Sequence, residues 1–136
     1  MNGLVLIVDD SAVNRFMLAQ VVRARGCQVV EASGGQQAID IGEAQEIDLV
    51  LLDIRMPEVD GFAVLEYFKS KEKLNHIPII MVSSLDDLEA TVRCIELGAE
   101  DYLMKPFEPT LLTARLRACL EKKQFLQELI QLKRDL

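Results

Sequence analysis

The sequence contains no tryptophan and few aromatic residues, and these shortages limit the kind of core that the chain can build. Aromatic side chains make up 5% of the 136 residues, while apolar residues make up 50%. A core of this composition has to consist mainly of Val, Leu, Ile and Ala. The length suits one well-packed domain and is too short for two.

Cysteines and long apolar runs are also scarce. The three cysteines, Cys27, Cys94 and Cys119, lie far apart and match no zinc-binding spacing. Their odd number, without a secretory signal, predicts reduced thiols packed in the core of a cytoplasmic protein. No apolar run approaches the roughly 18 residues that a membrane span requires, so we expect no membrane contact.

Basic residues are fewer than acidic ones, with 15 Lys and Arg against 22 Asp and Glu, so the formal net charge is −7. This balance argues against direct binding to nucleic acid or to an anionic membrane. It leaves open a basic partner or a bound cation.

Short apolar runs alternate with amphipathic stretches along the chain. The runs predict strands, and the stretches predict helices that end at residues such as Gly26 and Gly98. Five strand–helix repeats indicate an α/β fold with a five-stranded parallel sheet and helices on both faces. The commonest order for five such strands is the flavodoxin-like 2-1-3-4-5. The predicted strands are 4–8, 28–32, 49–52, 79–82 and 102–104. The first three predicted helices are 14–25, 35–45 and 61–71. The fourth is predicted to run from a cap at Asp86 or Asp87 to Leu97, and the fifth to begin near Glu108.

Polar residues follow four of these five strands. Asp9 and Asp10 follow the first strand, Asp53 the third, Ser83 the fourth and Lys105 the fifth. The second strand, an edge in the predicted order, ends without a charge. Because ligands bind at the carboxyl ends of parallel strands, near the point where the strand order reverses, we expect these side chains to meet there.

The three clustered acids would repel one another unless a cation were bound, and an oxygen-only ligand set suits Mg²⁺. Lys105 adds a positive charge that is expected to pair with Asp53 at rest, and Ser83 adds a hydroxyl. Together these groups favour phosphoryl transfer onto an aspartate. Taken singly, each has a simpler explanation, since Asp10 could cap the first helix and Lys105 could be a solvated loop residue.

The motifs "VLIVDDSAVNR", "DLVLLDIRMPEVDGF", "IIMVSS" and "GAEDYLMKPF", in this order, resemble the response-regulator receiver domain of two-component signalling. The resemblance covers about residues 3–122. It implies that Asp53 accepts a phosphoryl group from a histidine kinase or a histidine phosphotransfer protein. It also implies that the domain catalyses only its own phosphorylation and dephosphorylation, and so is not an enzyme acting on a separate substrate.

The resemblance further assigns roles to the other strand-end residues. Asp10 and Asp53 would ligate Mg²⁺ directly, with the backbone carbonyl of Arg55 as a third ligand, while Asp9 would act through water. Lys105 would contact the phosphoryl group. The remaining implied roles are a cis bond before Pro106, a phosphoryl-sensing hydroxyl at Ser83 and an aromatic switch residue at Tyr102.

Two positions depart from the family pattern in a minor way. Arg55 stands two residues after the acceptor, where the family varies and where a side chain affects the lifetime of the phosphoryl group. Ser84 stands where a small residue such as Ala is usual. The only histidine, His76, is interpreted as a surface residue.

The last residues predict a helix that is longer than the sheet requires. Helical packing on the sheet is expected to end near Leu120, which divides the chain into a receiver domain (1–122) and a helical extension (123–136). Phe125, Leu129, Leu132 and Leu136 have the spacing of a coiled-coil seam, although a solvated terminal helix is the alternative. We therefore expect a homodimer, formed through this helix or through the face made by the fourth helix, the fifth strand and the fifth helix.

Two other functions compete with a signalling switch. A phosphatase of the haloacid-dehalogenase type also forms an aspartyl phosphate, but it needs a second Asp two residues after the nucleophile, where this chain has Arg55. A structural pseudo-receiver would normally have lost one of the residues Asp9, Asp10, Asp53 or Lys105, and all are present.

Overall fold

The computed structural model describes residues 1–84 and 87–136, and these form a single sheet with helices on both faces. All strand pairs are parallel, and the strand order is 2-1-3-4-5, which confirms the predicted fold. The elements are β1 (Leu4–Val8), α1 (Ala12–Ala24), β2 (Gln28–Ala32), α2 (Gly35–Ala44), β3 (Leu49–Leu52), α3 (Gly61–Ser70), β4 (Ile79–Ser83), α4 (Leu88–Glu96), β5 (Asp101–Met104) and α5 (Pro109–Asp135).

Successive side chains of a strand point to opposite sides of the sheet. Since helices cover both sides, the central strands are buried on both faces. In β1, Val5 and Ile7 face α1 and α5, and Leu6 and Val8 face α2, α3 and α4. All residues of β3 are likewise fully buried. This double burial explains why the central strands are almost continuous apolar runs.

Polar side chains cap several of the helices. Ser11 caps α1 by accepting the Asn14 N–H at 3.3 Å, so Asp10 is not the helix cap. Asp87 caps α4 by accepting the Glu89 N–H at 2.9 Å. Asp86, the other candidate for that cap, lies outside the described residues.

α5 is a continuous helix of 27 residues, and it differs between its two halves. Leu112, Leu116 and Leu120 are buried against the sheet, and Leu120 is the last of the buried positions. From residue 124 onward every residue is exposed. In the described part of the chain, no helix combines the length and the apolar character that crossing a membrane requires.

The thiols follow the expected pattern only in part. Cys27 and Cys94 are buried, while Cys119 is half-buried, and all three are free. Burial raises the pKa of both Cys94 and Cys119 to about 11, so these thiols stay protonated at neutral pH.

Candidate functional site

Strand register places two of the acids side by side at the carboxyl end of the sheet. Val8 at the end of β1 is paired with Leu52 at the end of β3, so Asp9 and Asp53 are the next neighbours. The Asp53 N–H donates to the Val8 carbonyl at 2.9 Å and holds this alignment. Asp9 is 1% exposed and Asp53 is 5% exposed, so the strand ends bury both carboxyl groups.

Asp10 completes a cluster of three acids at this edge. One carboxylate oxygen from each of Asp9, Asp10 and Asp53 lies within 4.8 Å of the other two. Asp10 is exposed, whereas the other two are buried, so the cluster is open to solvent on one side. The all-oxygen donor set and the open side fit a hard cation that keeps part of its water shell, as Mg²⁺ does.

Lys105 reaches this cluster from the end of β5. Its backbone N–H donates to the Ser83 carbonyl at 2.9 Å, and the following bond to Pro106 is cis. The ammonium nitrogen Nζ lies 2.6 Å from Asp9 Oδ2 and 3.6 Å from Asp53 Oδ2. The expected pairing with Asp53 is therefore present, but the shorter contact is with Asp9. Asp9 is the more deeply buried carboxylate, so it gains most from a direct counter-ion.

The surroundings make ionisation of Asp53 less favourable than that of a solvent-exposed carboxyl group. Burial raises the pKa of its carboxyl group above the usual value, and the negative charges of Asp9 and Asp10 act in the same direction. The Lys105 charge and a 2.9 Å hydrogen bond from the Ile54 N–H oppose this rise without cancelling it. A cation bound beside Asp53 would relieve the repulsion and favour the carboxylate.

Asp60 and Gly61, which the sequence indicates only as typical loop residues, hold the loop after β3 against Asp53. Asp60 caps α3 by accepting the Ala63 N–H at 2.9 Å, and the Gly61 N–H donates to the Ile54 carbonyl at 2.8 Å. A Cβ atom at Gly61 would lie 2.2 Å from the Asp53 carbonyl oxygen. Gly61 is therefore needed because the backbone passes directly beside Asp53.

Arg15 is a positioning residue that sequence reasoning missed. Its guanidinium donates to the backbone carbonyl of Asp9 at 2.7 Å and pairs with Glu31 of β2 at 3.2 Å. Asp9 is fixed on its other side, because its Oδ1 accepts the Ser11 N–H at 2.9 Å. The only available signal was the place of Arg15 in the motif "VDDSAVNR", which does not indicate the contact.

Ser83 and Tyr102, the residues with implied switch roles, lie on the neighbouring strands β4 and β5. Ser83 is fully buried at the end of β4, and Tyr102 of β5 is half-buried. Burial raises the pKa of the Tyr102 phenol, and a hydrogen bond with the Ser83 side chain acts in the opposite direction. Arg55, by contrast, is exposed at the rim.

The family model that describes the response regulator receiver domain matches residues 5–117. The chain belongs to this family. Receiver domains of this family work in two-component systems. The sequence-based assignment of the family is thereby confirmed.

Similar proteins include longer transcriptional regulators. The chain is 42% identical to the probable transcriptional regulator ycf27 of Guillardia theta over 118 residues, which cover 87% of this chain and 45% of that protein. It is 32% identical to the alkaline phosphatase synthesis transcriptional regulatory protein PhoP of Bacillus subtilis over 135 residues, covering 99% of this chain and 55% of PhoP. The chain therefore spans about half the length of these relatives.

Solved structures agree in fold. A CheY-like response regulator receiver domain protein from Methanospirillum hungatei matches with a TM-score of 0.85 and 27% identity, covering 91% of this chain and 98% of that one. NtrX from Brucella abortus matches with a TM-score of 0.88 and 28% identity, covering 97% of this chain and 30% of NtrX.

Proposed function

We propose that this domain is a phosphorylation-activated switch that accepts a phosphoryl group on Asp53 in a Mg²⁺-dependent reaction. The donor is a phosphohistidine on a histidine kinase or a histidine phosphotransfer protein in the cytoplasm. The observation that carries the proposal is the placement of Asp53. Its carboxyl group is buried, lies within 4.8 Å of two other acids, and has a lysine ammonium 3.6 Å away.

The proposed transfer is a displacement at phosphorus. An Asp53 carboxylate oxygen forms a bond to phosphorus as the P–N bond of the phosphohistidine breaks. The electron pair of the P–N bond stays on the imidazole nitrogen. Asp10, Asp53 and the Arg55 carbonyl would hold Mg²⁺, with Asp9 acting through water. When bound, Mg²⁺ supplies positive charge that reduces the repulsion between the carboxylate and the anionic phosphoryl group. Lys105, whose Nζ lies 3.6 Å from Asp53 Oδ2, would leave Asp9 and contact a phosphoryl oxygen.

Signal output would begin at Ser83 and Tyr102. Phosphorylation adds a charge of about −1.5 to −2 beside both side chains. Because Ser83 and Tyr102 lie on the paired strands β4 and β5, we expect a shift of Ser83 towards the phosphoryl group to change the position of the phenol. Tyr102 belongs to the face formed by α4, β5 and α5, which exposes Val92, Ile95, Met104 and Leu111. We expect a homodimer through this face or through the exposed part of α5.

The proposed switch acts on itself and not on a separate substrate. The comparisons give no support to the alternative of a haloacid-dehalogenase-type phosphatase, and the residue two places after Asp53 is the exposed Arg55. The net charge of −7 also leads us to propose that this domain does not bind nucleic acid directly. Regulation of transcription is a property named for the longer relatives.

Mass spectrometry of the intact protein after incubation with acetyl phosphate and Mg²⁺ tests the acceptor. We expect a mass increase of one phosphoryl group that requires Mg²⁺ and is absent from Asp53→Asn. Asp48→Asn is the matched control, because it removes an acid from the opposite end of β3. A stoichiometric adduct that persists in Asp53→Asn would rule out this acceptor.

Sedimentation tests the output. The wild type and a chain shortened after Leu120 are each measured with and without beryllium fluoride as a phosphoryl mimic. We expect the mimic to promote association of the wild type, and the shortened chain to associate more weakly. If association is the same in all four samples, the tail is a passive helix and the output lies elsewhere.

A further inference from the structure

The exposed part of α5 carries an apolar stripe that has no partner within the described residues. Phe125, Leu129 and Leu132 are between 46% and 61% exposed, and Leu136 directly after the helix is fully exposed. Their spacing of four, three and four residues keeps them on one side of the helix. We call these four residues the tail seam.

Ionic contacts fix which side of this helix faces the domain. Lys123 Nζ lies 2.6 Å from Asp48 Oδ1, and the Lys123 side chain is only 12% exposed. Leu116 and Leu120, which are buried against the sheet, lie on the same side of the helix as Lys123, within about 60° of it. At roughly 100° per residue, the tail seam lies about 180–240° around the helix from Lys123. The seam therefore points away from its own domain, and a second helix could pack on it without a clash.

Charged residues beside the tail seam favour one orientation of such a helix. With Leu129 at position a of a heptad and Leu132 at position d, Glu128 occupies g and Lys133 occupies e. In a parallel pair, each g residue meets an e residue of the partner helix, and that e residue lies five positions later in the sequence. Glu128 of each copy therefore meets Lys133 of the other, which gives two such contacts. In an antiparallel pair, g meets g, and the residues there are Glu121, Glu128 and Asp135. The parallel arrangement is attractive, and the antiparallel one is repulsive.

We infer that the tail seam is the docking surface for the same seam of a second copy, packed in parallel, with Glu128 of each copy opposite Lys133 of the other. The inference rests on the homodimer proposed above and specifies its contact. A second contact between the domains strengthens this pairing, because it raises the effective concentration of one tail near the other.

This arrangement explains how a short helix can report on a distant site. Lys122 and Lys123 hold the base of the tail to residues just before β5 and β3. A change in how two domains meet would therefore move both tails as rigid extensions. The two tail seams would pair in register in one arrangement of the two domains, and they would separate in another arrangement.

Charge reversal in the full chain tests this inference. Lys133→Glu is compared with Arg134→Glu, which makes the same charge change on the adjacent residue, also in the last turn, but away from the seam. With beryllium fluoride present, we expect Lys133→Glu to lower the association constant about tenfold relative to Arg134→Glu. Glu128→Lys should have a similar effect, and the double variant Glu128→Lys with Lys133→Glu should return to within about threefold of the wild type.

The outcomes separate this inference from the proposed function. Equal association of Lys133→Glu and Arg134→Glu, or stronger association of Glu128→Lys, would overturn the parallel seam, as would a wild type that does not associate with or without the mimic. If no phosphoryl adduct forms on the protein, but the charge-reversal variants change association as expected, only the proposed function is overturned. A disulfide between copies carrying Phe125→Cys gives a second measurement. It should form in a parallel pair, whereas an antiparallel pair would separate these positions by about 16 Å along the axis.

Discussion

Two aspartates flank β3, Asp48 before its first residue and Asp53 after its last, and each lies near a lysine from the last third of the chain. Asp48 Oδ1 is 2.6 Å from Lys123 Nζ, and its Oδ2 accepts the Leu4 N–H at 2.7 Å. Asp53 is 3.6 Å from Lys105 Nζ, but Lys105 makes its shorter contact with Asp9. The acid at the amino end therefore has a cation of its own, and the acid at the carboxyl end shares one.

The pKa values of the two groups shift in opposite directions. Burial acts to raise the pKa of Asp48, but the hydrogen bonds from Lys123 and Leu4, together with the Lys123 charge, hold it below its usual 3.8. For Asp53, burial and the neighbouring acids outweigh the contribution of Lys105, and the pKa is raised. One end of β3 uses its acid to stabilise the fold. The other end holds an acid whose charged form the folded state disfavours relative to the unfolded chain.

Removing Asp10 should produce the largest effect at the carboxyl end, and the effect should be on function. Asp10 is exposed and does not cap α1, so Asp10→Ala should change the free energy of unfolding by less than about 0.5 kcal/mol. Phosphorylation should slow by at least about a hundredfold, because a ligand for Mg²⁺ is lost. The rate of adduct formation measures this, with Asp40→Ala, another exposed acid, as the control. Phosphorylation at the wild-type rate would remove Asp10 from the site.

Replacing Gly61 should disturb both function and stability at the same end. A Cβ atom at this position would lie 2.2 Å from the Asp53 carbonyl oxygen, so the backbone at Asp53 has to move. We expect Gly61→Ala to lower the free energy of unfolding by about 3 kcal/mol and to slow phosphorylation. Gly34→Ala is the control, since a Cβ atom there meets nothing within 4 Å. Equal urea midpoints for the two variants would contradict the close approach.

Replacing Asp48 should produce a smaller effect, confined to stability. The Asp48 side chain is 40% exposed, so we expect Asp48→Asn to cost about 1 kcal/mol at pH 7. Because the folded state lowers the pKa of this group, its stabilisation is present above the unfolded value of 3.8 and is lost as the pH falls through the lower folded value. The difference between wild type and variant should therefore shrink in acid. Urea unfolding at neutral and acidic pH measures it, and a difference that does not change with pH would contradict the ionic contact.

The sequence was sufficient to predict the sheet and the residues that gather at its carboxyl edge. Apolar runs locate the strands, and the strand order brings the following residues together, so Asp9, Asp53, Ser83 and Lys105 could be chosen from placement alone. The resemblance to receiver domains supplied the rest of the assignment. The boundary between receiver and extension at residue 122 stays a prediction, since α5 continues through it without a break.

The contacts that decide the chemistry could not be predicted, because they depend on distances across the fold. Lys105 and Asp9 are 96 residues apart in sequence, and Lys123 and Asp48 are 75 apart. No local pattern indicates which acid a lysine will reach. The need for glycine at position 61 arises in the same way, from the path of the backbone beside Asp53. Leu126 and Ile130, exposed at 48% and 53%, also lie outside the predicted seam.

The effect of Mg²⁺ on unfolding tests most directly the claim that the acids at the carboxyl end repel one another until a cation binds. Urea unfolding is measured for the wild type, Asp53→Asn and Asp48→Asn at pH 7, with and without saturating Mg²⁺. Without Mg²⁺, Asp53→Asn should be more stable than the wild type, since it removes a charge that the folded state disfavours. Mg²⁺ should stabilise the wild type and Asp48→Asn equally and leave Asp53→Asn almost unchanged. A wild type that does not respond to Mg²⁺, or an Asp53→Asn variant that responds as fully as the wild type, would contradict the account.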